Sequence, residues 1–166
     1  SGLADKLVQN WKVSVLLREL ANKDHQKKWF EKLMSDPSFL FAHALTEPKG
    51  ASDRWLGYNA PEAAMDTKAV KVDGGWVING RKHYISNGYD AGLYVIYANT
   101  SPGLGMMQGT SSFIVPRDTE GFRVARCNET VGCRFMNSGE LELIDCFVPD
   151  ENLLCEGTAL NKAGIY

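Results

Sequence analysis

The sequence has only four cysteines and three histidines in 166 residues, and neither type is clustered. Cys127, Cys133, Cys146 and Cys155 contain no CxxC, and His25, His43 and His83 lie far apart. No zinc or thiol-exchange motif is therefore present, and reduced thiols are expected. There is no block of Lys or Arg. The 18 basic and 20 acidic residues leave a formal net charge of −2, which argues against an electrostatic nucleic-acid binder or a polybasic membrane anchor. No stretch approaches the ~18 consecutive apolar residues of a membrane helix, and no basic region followed by an apolar core opens the chain. An intracellular chain, cytoplasmic by default, without a membrane span is the expectation. No GxGxxG occurs either: Gly103-Leu104-Gly105 lacks the third glycine and sits in a loop-like segment. Repeats and low-complexity segments are also missing.

What remains is an ordinary globular composition, 44% hydrophobic, 23% charged and 10% aromatic, and a length that allows one sizeable core. Leu3, Leu7, Trp11 and Val15, widened by Val8, Leu16 and Leu20, form an apolar stripe at helical spacing that ends near Asn22. A second helix begins around Asp24 with Trp29, Phe30, Leu33 and Met34 on one face, and Pro37 stops it. From Phe39 onward the period is two. Strands are expected at 68–72, 76–78, 83–85, 93–98, 112–115, 122–126 and 139–148, with a hairpin turn at Asp73-Gly74-Gly75. Glu140 and Glu142 alternate with Leu141 and Leu143, so the last strand should have one wet face. The expected fold is α+β: an antiparallel β-barrel of short strands, or a sandwich of them, preceded by two α-helices and followed by the start of another.

Two segments could carry chemistry. In residues 44–53, Pro48 keeps Glu47 out of the helical region and Gly50 permits a tight turn, so Thr46, Ser52 and free amides are presented together. Such a loop binds oxyanions or the polar edge of an aromatic ring, or is an ordinary connection whose hydroxyls cap their own backbone. His83-Tyr84-Ile85-Ser86-Asn87-Gly88 offers an aromatic and a hydroxyl, or is a strand ending in a turn with Tyr84 in the core. A carboxylate pair drawn from Glu47, Asp53 and Asp66, or His43 with Ser52 as base and nucleophile, lacks a third supporting element. Glu47, beside a proline, reads instead as a turn carboxylate bonded to backbone amides.

The ordered run Leu45-Thr46-Glu47-Pro48, Ser52-Asp53, Val77-Ile78-Asn79-Gly80-Arg81-Lys82, Tyr84-Ile85-Ser86-Asn87-Gly88, Gly121-Phe122 and Val148-Pro149-Asp150-Glu151-Asn152-Leu153-Leu154 resembles the acyl-CoA dehydrogenase family. The resemblance implies a flavoprotein that oxidises acyl-CoA thioesters to trans-2-enoyl-CoA. It places FAD between a middle β-barrel and a C-terminal helical domain. It divides the chain into the end of an N-terminal helical domain (1–36), the middle domain (37–154) and the start of the C-terminal one (155–166). His43, Leu45, Thr46 and Ser52 would line the flavin, with Ser52 also near the acyl-CoA. Tyr84, Ile85 and Ser86 would form the second wall, Ser86 standing where threonine is usual and Tyr84 where many relatives have tryptophan. The isoalloxazine gains charge on reduction, so hydroxyls and amides fixed at its edge stabilise the reduced ring more than the oxidised one. The family's glutamate base lies in its C-terminal domain, so every residue carried over is a binding residue and the fragment alone is expected to be inactive. The implied partners are an electron-transfer flavoprotein and further copies in a dimer or tetramer. A non-catalytic protein- or thioester-binding module, an acyl-CoA oxidase and a flavin monooxygenase of the same fold are the alternatives.

Overall fold

The computed structural model describes residues 2–50 and 60–163. Helix α1 (Gly2–Leu20) and helix α2 (Lys23–Ser35) form where the periodicity places them. The Asn22 side chain caps α2 by accepting from the His25 N–H at 2.8 Å, a bond of the kind that contributes about 1 kcal/mol. The helix stops at Asp36, extended in front of Pro37.

Of the expected α1 stripe only Leu16 is buried, with Val15 and Leu20 half-buried, whereas Leu3, Leu7, Val8 and Trp11 are exposed; Val13 and Leu17, outside that stripe, complete the buried face. The N-terminal half is tied down by polar groups instead: Asn10 accepts from the Phe41 N–H, Lys6 pairs with Asp90 at 3.2 Å, and the Lys6 carbonyl accepts from Asn87. On α2, Trp29 is buried but Met34 is exposed.

Among the described residues eight strands follow: β1 (Phe41–Ala44), β2 (Lys68–Val72), β3 (Gly75–Ile85), β4 (Leu93–Asn99), β5 (Thr110–Pro116), β6 (Phe122–Cys127), β7 (Gly139–Pro149) and β8 (Leu153–Cys155). A short helix, α3 (Met106–Gly109), interrupts a segment that reads as loop, and α4 (Ala159–Ala163) begins after Gly157. The hairpin at Asp73-Gly74 is present, with Val72 paired to Gly75.

The expected closed antiparallel barrel is not formed among the described residues. The strands make one sheet with an open pairing path, β6-β7-β3-β2-β4-β5-β8, and β1 adds beside β4. The β1–β4 and β2–β4 pairings are parallel. Two apolar clusters explain the shape. Trp76, Ile78, Tyr94, Ile96, Phe113, Val115, Phe122, Leu141 and Leu143 meet on the inside of the curled sheet. Val95, Tyr97, Ile114 and Phe41 point the other way, into a layer with Leu16, Leu17, Trp29 and Leu160 from the helices. β4 and β5 are thus buried on both faces, which is why their sequences are nearly continuous in apolar and small residues.

The wet face expected for β7 is shielded. Glu140 and Glu142 do point outward, but they are only 8% and 6% exposed. Arg81 from β3 and Arg123 from β6, opposite Glu142 in register, cover its carboxylate, and Arg126 donates to Glu140 at 2.6 Å.

Candidate functional site

The alternation Trp76, Ile78, Gly80, Lys82 runs along the inward row of β3. A bulge then breaks the register between Lys82 and Ile85. His83 and Tyr84 consequently both face outward, and Ile85 returns to the core at 2% exposure. Tyr84 makes this possible by adopting φ +54, a left-handed conformation that costs a residue with a side chain about 1 kcal/mol. Its ring stands edge-on to His83, centroids 3.9 Å apart, and is 63% exposed. The reading of Tyr84 as a core residue therefore does not hold. Ser86 is half-buried, and its Oγ lies 3.7 Å from the Met136 sulfur.

The turn at 45–50 meets this strand directly. The Thr46 carbonyl accepts from the His83 N–H at 2.9 Å, bringing Thr46 alongside the Tyr84–Ser86 edge. Glu47 and Gly50 close the turn with reciprocal backbone bonds of 3.0 and 3.3 Å. As the proline context suggests, the Glu47 carboxylate accepts backbone N–H bonds, from Asp66 at 2.7 Å and Thr67 at 3.0 Å. It also pairs with Lys82 at 2.7 Å, and Lys82 is fully buried.

The remaining candidates are placed differently. His43 lies on the helix-covered side of β1, its Nε2 2.9 Å from the Tyr97 hydroxyl. Leu45 is buried in the helix-side cluster. The Ile85 side chain is inside the sheet, so only its backbone could reach a ligand. Ser52 lies outside the described residues.

Sequence reasoning missed Lys82 and Met136. A lysine on the inward row after Trp76 and Ile78 is a signal that could have revealed the first. Met136 reaches Ser86 because the Met136 carbonyl accepts from the Asn87 N–H at 2.8 Å, a tertiary bond that has no local signature.

Burial pushes the Glu47 carboxyl up, but the Lys82 ammonium and the bonds from Lys82 and Thr67 outweigh it, leaving the group below its ordinary value of 4.5. Desolvation pulls Lys82 down, against the opposing Glu47 carboxylate. Hydrogen bonding from Arg81, followed by Arg123, also holds Glu142 below the ordinary value. A carboxylate lowered in the folded state contributes stability that is complete above its unfolded pKa and is lost as pH falls through the folded one. From these two carboxylates, the melting temperature is accordingly expected to be flat between neutrality and about pH 5.5 and to fall progressively below about 4.5. Thermal melts followed by circular dichroism from neutral to acid pH check this, and an unchanged midpoint at pH 3 would contradict it.

A curled sheet that carries an exposed aromatic, a hydroxyl and a carboxylate-anchored turn along one edge, with helices on its outer face, defines a domain rather than an isolated motif. Residues 42–146 match the family described as "Acyl-CoA dehydrogenase, middle domain". The chain belongs to the acyl-CoA dehydrogenase family. It is 38% identical over 129 residues to a mitochondrial isovaleryl-CoA dehydrogenase of Oryza sativa subsp. japonica, covering 78% of this chain and 29% of that protein. An acyl-CoA dehydrogenase structure from Geobacillus kaustophilus superposes with a TM-score of 0.77 at 31% identity, covering 91% of this chain and 38% of that one. The structure of PigA with FAD and proline gives 0.81 at 26% identity, covering 98% and 41%. The chain thus spans about a third of the length of the relatives it matches.

Proposed function

We propose that this chain is the FAD- and acyl-CoA-binding middle domain of an oxidoreductase that desaturates acyl-CoA thioesters. One observation carries the reading: within the family match, the Thr46–His83 backbone bond brings the 45–50 turn to the Tyr84–Ser86 edge. The groups there suit an isoalloxazine. Tyr84 offers a solvent-facing aromatic wall, and Ser86 Oγ has only a sulfur, a weak acceptor, beside it among the described residues. Bound FAD would supply the hydride acceptor. Thr46 and Ser86 would hold its polar edge, Tyr84 would shield its face from water, and Ser52 would complete the wall toward the thioester. Leu45, Ile85 and His43 would act from behind, by shaping the turn and the strand that carry these groups. The finer assignment of 1–36, 37–154 and 155–166 to the end, whole and start of three domains belongs to the same reading. For the longer protein, we infer an electron-transfer flavoprotein as acceptor and a dimer or tetramer. Acceptor reduction measured against oxygen consumption separates a dehydrogenase from an oxidase.

The domain itself is tested by titrating the chain with FAD and following amide chemical shifts. Shifts should concentrate at Thr46, His83, Tyr84 and Ser86. Changes confined elsewhere, or none, would sink the assignment. Ser86→Ala should then weaken binding about tenfold, the effect of losing one hydrogen bond of about 1.4 kcal/mol. Because the same donor bonds the more charged reduced ring more strongly, by about a further 1.4 kcal/mol, the two-electron potential should also fall by about 30 mV.

A further inference from the structure

We infer that the buried Lys82–Glu47 pair is the positioning device that locks the 45–50 turn onto β3, and so sets where Thr46 and the Tyr84–Ser86 edge stand. The inference deepens the flavin reading and rests on it for its functional consequence. Neither residue faces the proposed ring: Lys82 has no exposed surface and Glu47 is 7% exposed. Their geometry nevertheless joins the 45–50 turn, β3 and the 65–67 segment that leads into β2. The Lys82 ammonium lies 2.7 Å from Glu47 Oε1, 3.4 Å from the Leu45 carbonyl and 3.7 Å from the Met65 sulfur. The same carboxylate holds the Asp66 and Thr67 amides that lead into β2. Thr67 in turn packs against Gly80, where a Cβ would come within 2.6 Å of the Thr67 backbone.

A buried ion pair is a poor source of stability compared with apolar side chains of similar volume, because both charges must be desolvated. Its use here is directional. An ammonium that must satisfy its donors in a dry interior accepts few positions for the carboxylate and the Leu45 carbonyl. Those positions fix the residues on either side of Thr46. One step further along β3, the His83 N–H to Thr46 carbonyl bond completes the lock. Lys82 and Glu47 are thus positioning residues: they act through the turn and touch no reacting atom.

The test uses Glu47→Gln, and the double variant Glu47→Gln/Lys82→Met in case a lone buried ammonium prevents folding. Amide hydrogen exchange is read at His83 and Thr67, with Val95 and Ile114 in the doubly buried strands as internal reference, and no flavin is needed. A positioning role predicts at least tenfold faster exchange at His83 and Thr67 with the reference amides unchanged, in the double variant as well. Equal acceleration everywhere, or none at His83, would overturn it, since a merely structural pair shifts all amides together. FAD titration of the same proteins forms the second arm. Loss of at least tenfold in FAD affinity by the double variant supports positioning of the site, and unchanged affinity contradicts it. If the unaltered chain takes up no FAD while the exchange pattern is local, the flavin reading fails and the lock on the turn stands.

Discussion

Lys82→Met is expected to destabilise the folded chain by about 3–5 kcal/mol, the usual result of removing one partner of a buried ion pair. The methionine is close to lysine in length and fills its space, so little of the loss comes from a cavity. It comes from the Glu47 carboxylate, 7% exposed and left, among the described residues, with two backbone N–H donors, from Asp66 and Thr67. Making the site neutral with Glu47→Gln in the same chain should recover a large part of that loss, because no charge then remains to be desolvated. Denaturant titrations of the three proteins measure this. A single substitution that costs under about 1 kcal/mol would mean that water reaches the carboxylate, and that the pair is no more than a surface salt bridge.

Gly121→Ala is expected to be far more damaging than Gly74→Ala, although both glycines have positive φ, +80 and +73. At Gly74, in the β2–β3 hairpin, nothing lies within 4 Å of the new Cβ. Only the backbone preference is lost, about 1–2 kcal/mol. At Gly121, the Cβ would fall 2.4 Å from the Ile144 carbonyl oxygen and 2.8 Å from the Cys146 Cα. Those are backbone atoms of β7, and the Gly121 carbonyl itself accepts from the Ile144 N–H at 2.9 Å. Relief would require moving β6 off β7, its one strand partner among the described residues, since β6 lies at the end of the pairing path. Overpacking of about 1–3 kcal/mol adds to the backbone term, for a total of about 2–5 kcal/mol. Equal losses at the two sites in urea unfolding would show that the turn before β6 yields freely.

Much of the local structure was readable from residue order. Both helices, the Asp73-Gly74 hairpin and the strands from β2 to β7 follow from periodicity and from glycine and proline placement, because these are preferences of a residue and its near neighbours. Errors arise where a distant partner decides. Leu3, Leu7 and Trp11 look identical in pattern to the buried half of α1, yet what they meet depends on where the sheet ends. Glu140 and Glu142 read as a wet face and turned out to be roofed by Arg123 and Arg126 of the neighbouring β6 and by Arg81 of β3, which comes from far along the chain. Strands 76–78 and 83–85 read as separate pieces but are one bulged strand, because pairing with β7 holds Gly80 and Lys82 in line between them.

The site divides in the same way. By itself the sequence determined that Glu47 is a turn carboxylate, that Pro48 and Gly50 shape the turn, and that the ordered motifs from Leu45 to Leu154 belong to one family. Only the tertiary structure decided that Tyr84 faces solvent, that the Ile85 side chain does not, and that Lys82 sits opposite Glu47. The reason is the bulge after Lys82. A strand's alternation assigns every side chain to a face until one extra residue reverses it, and that residue is set by register with β7 and by the burial of Lys82, neither of which the local sequence encodes.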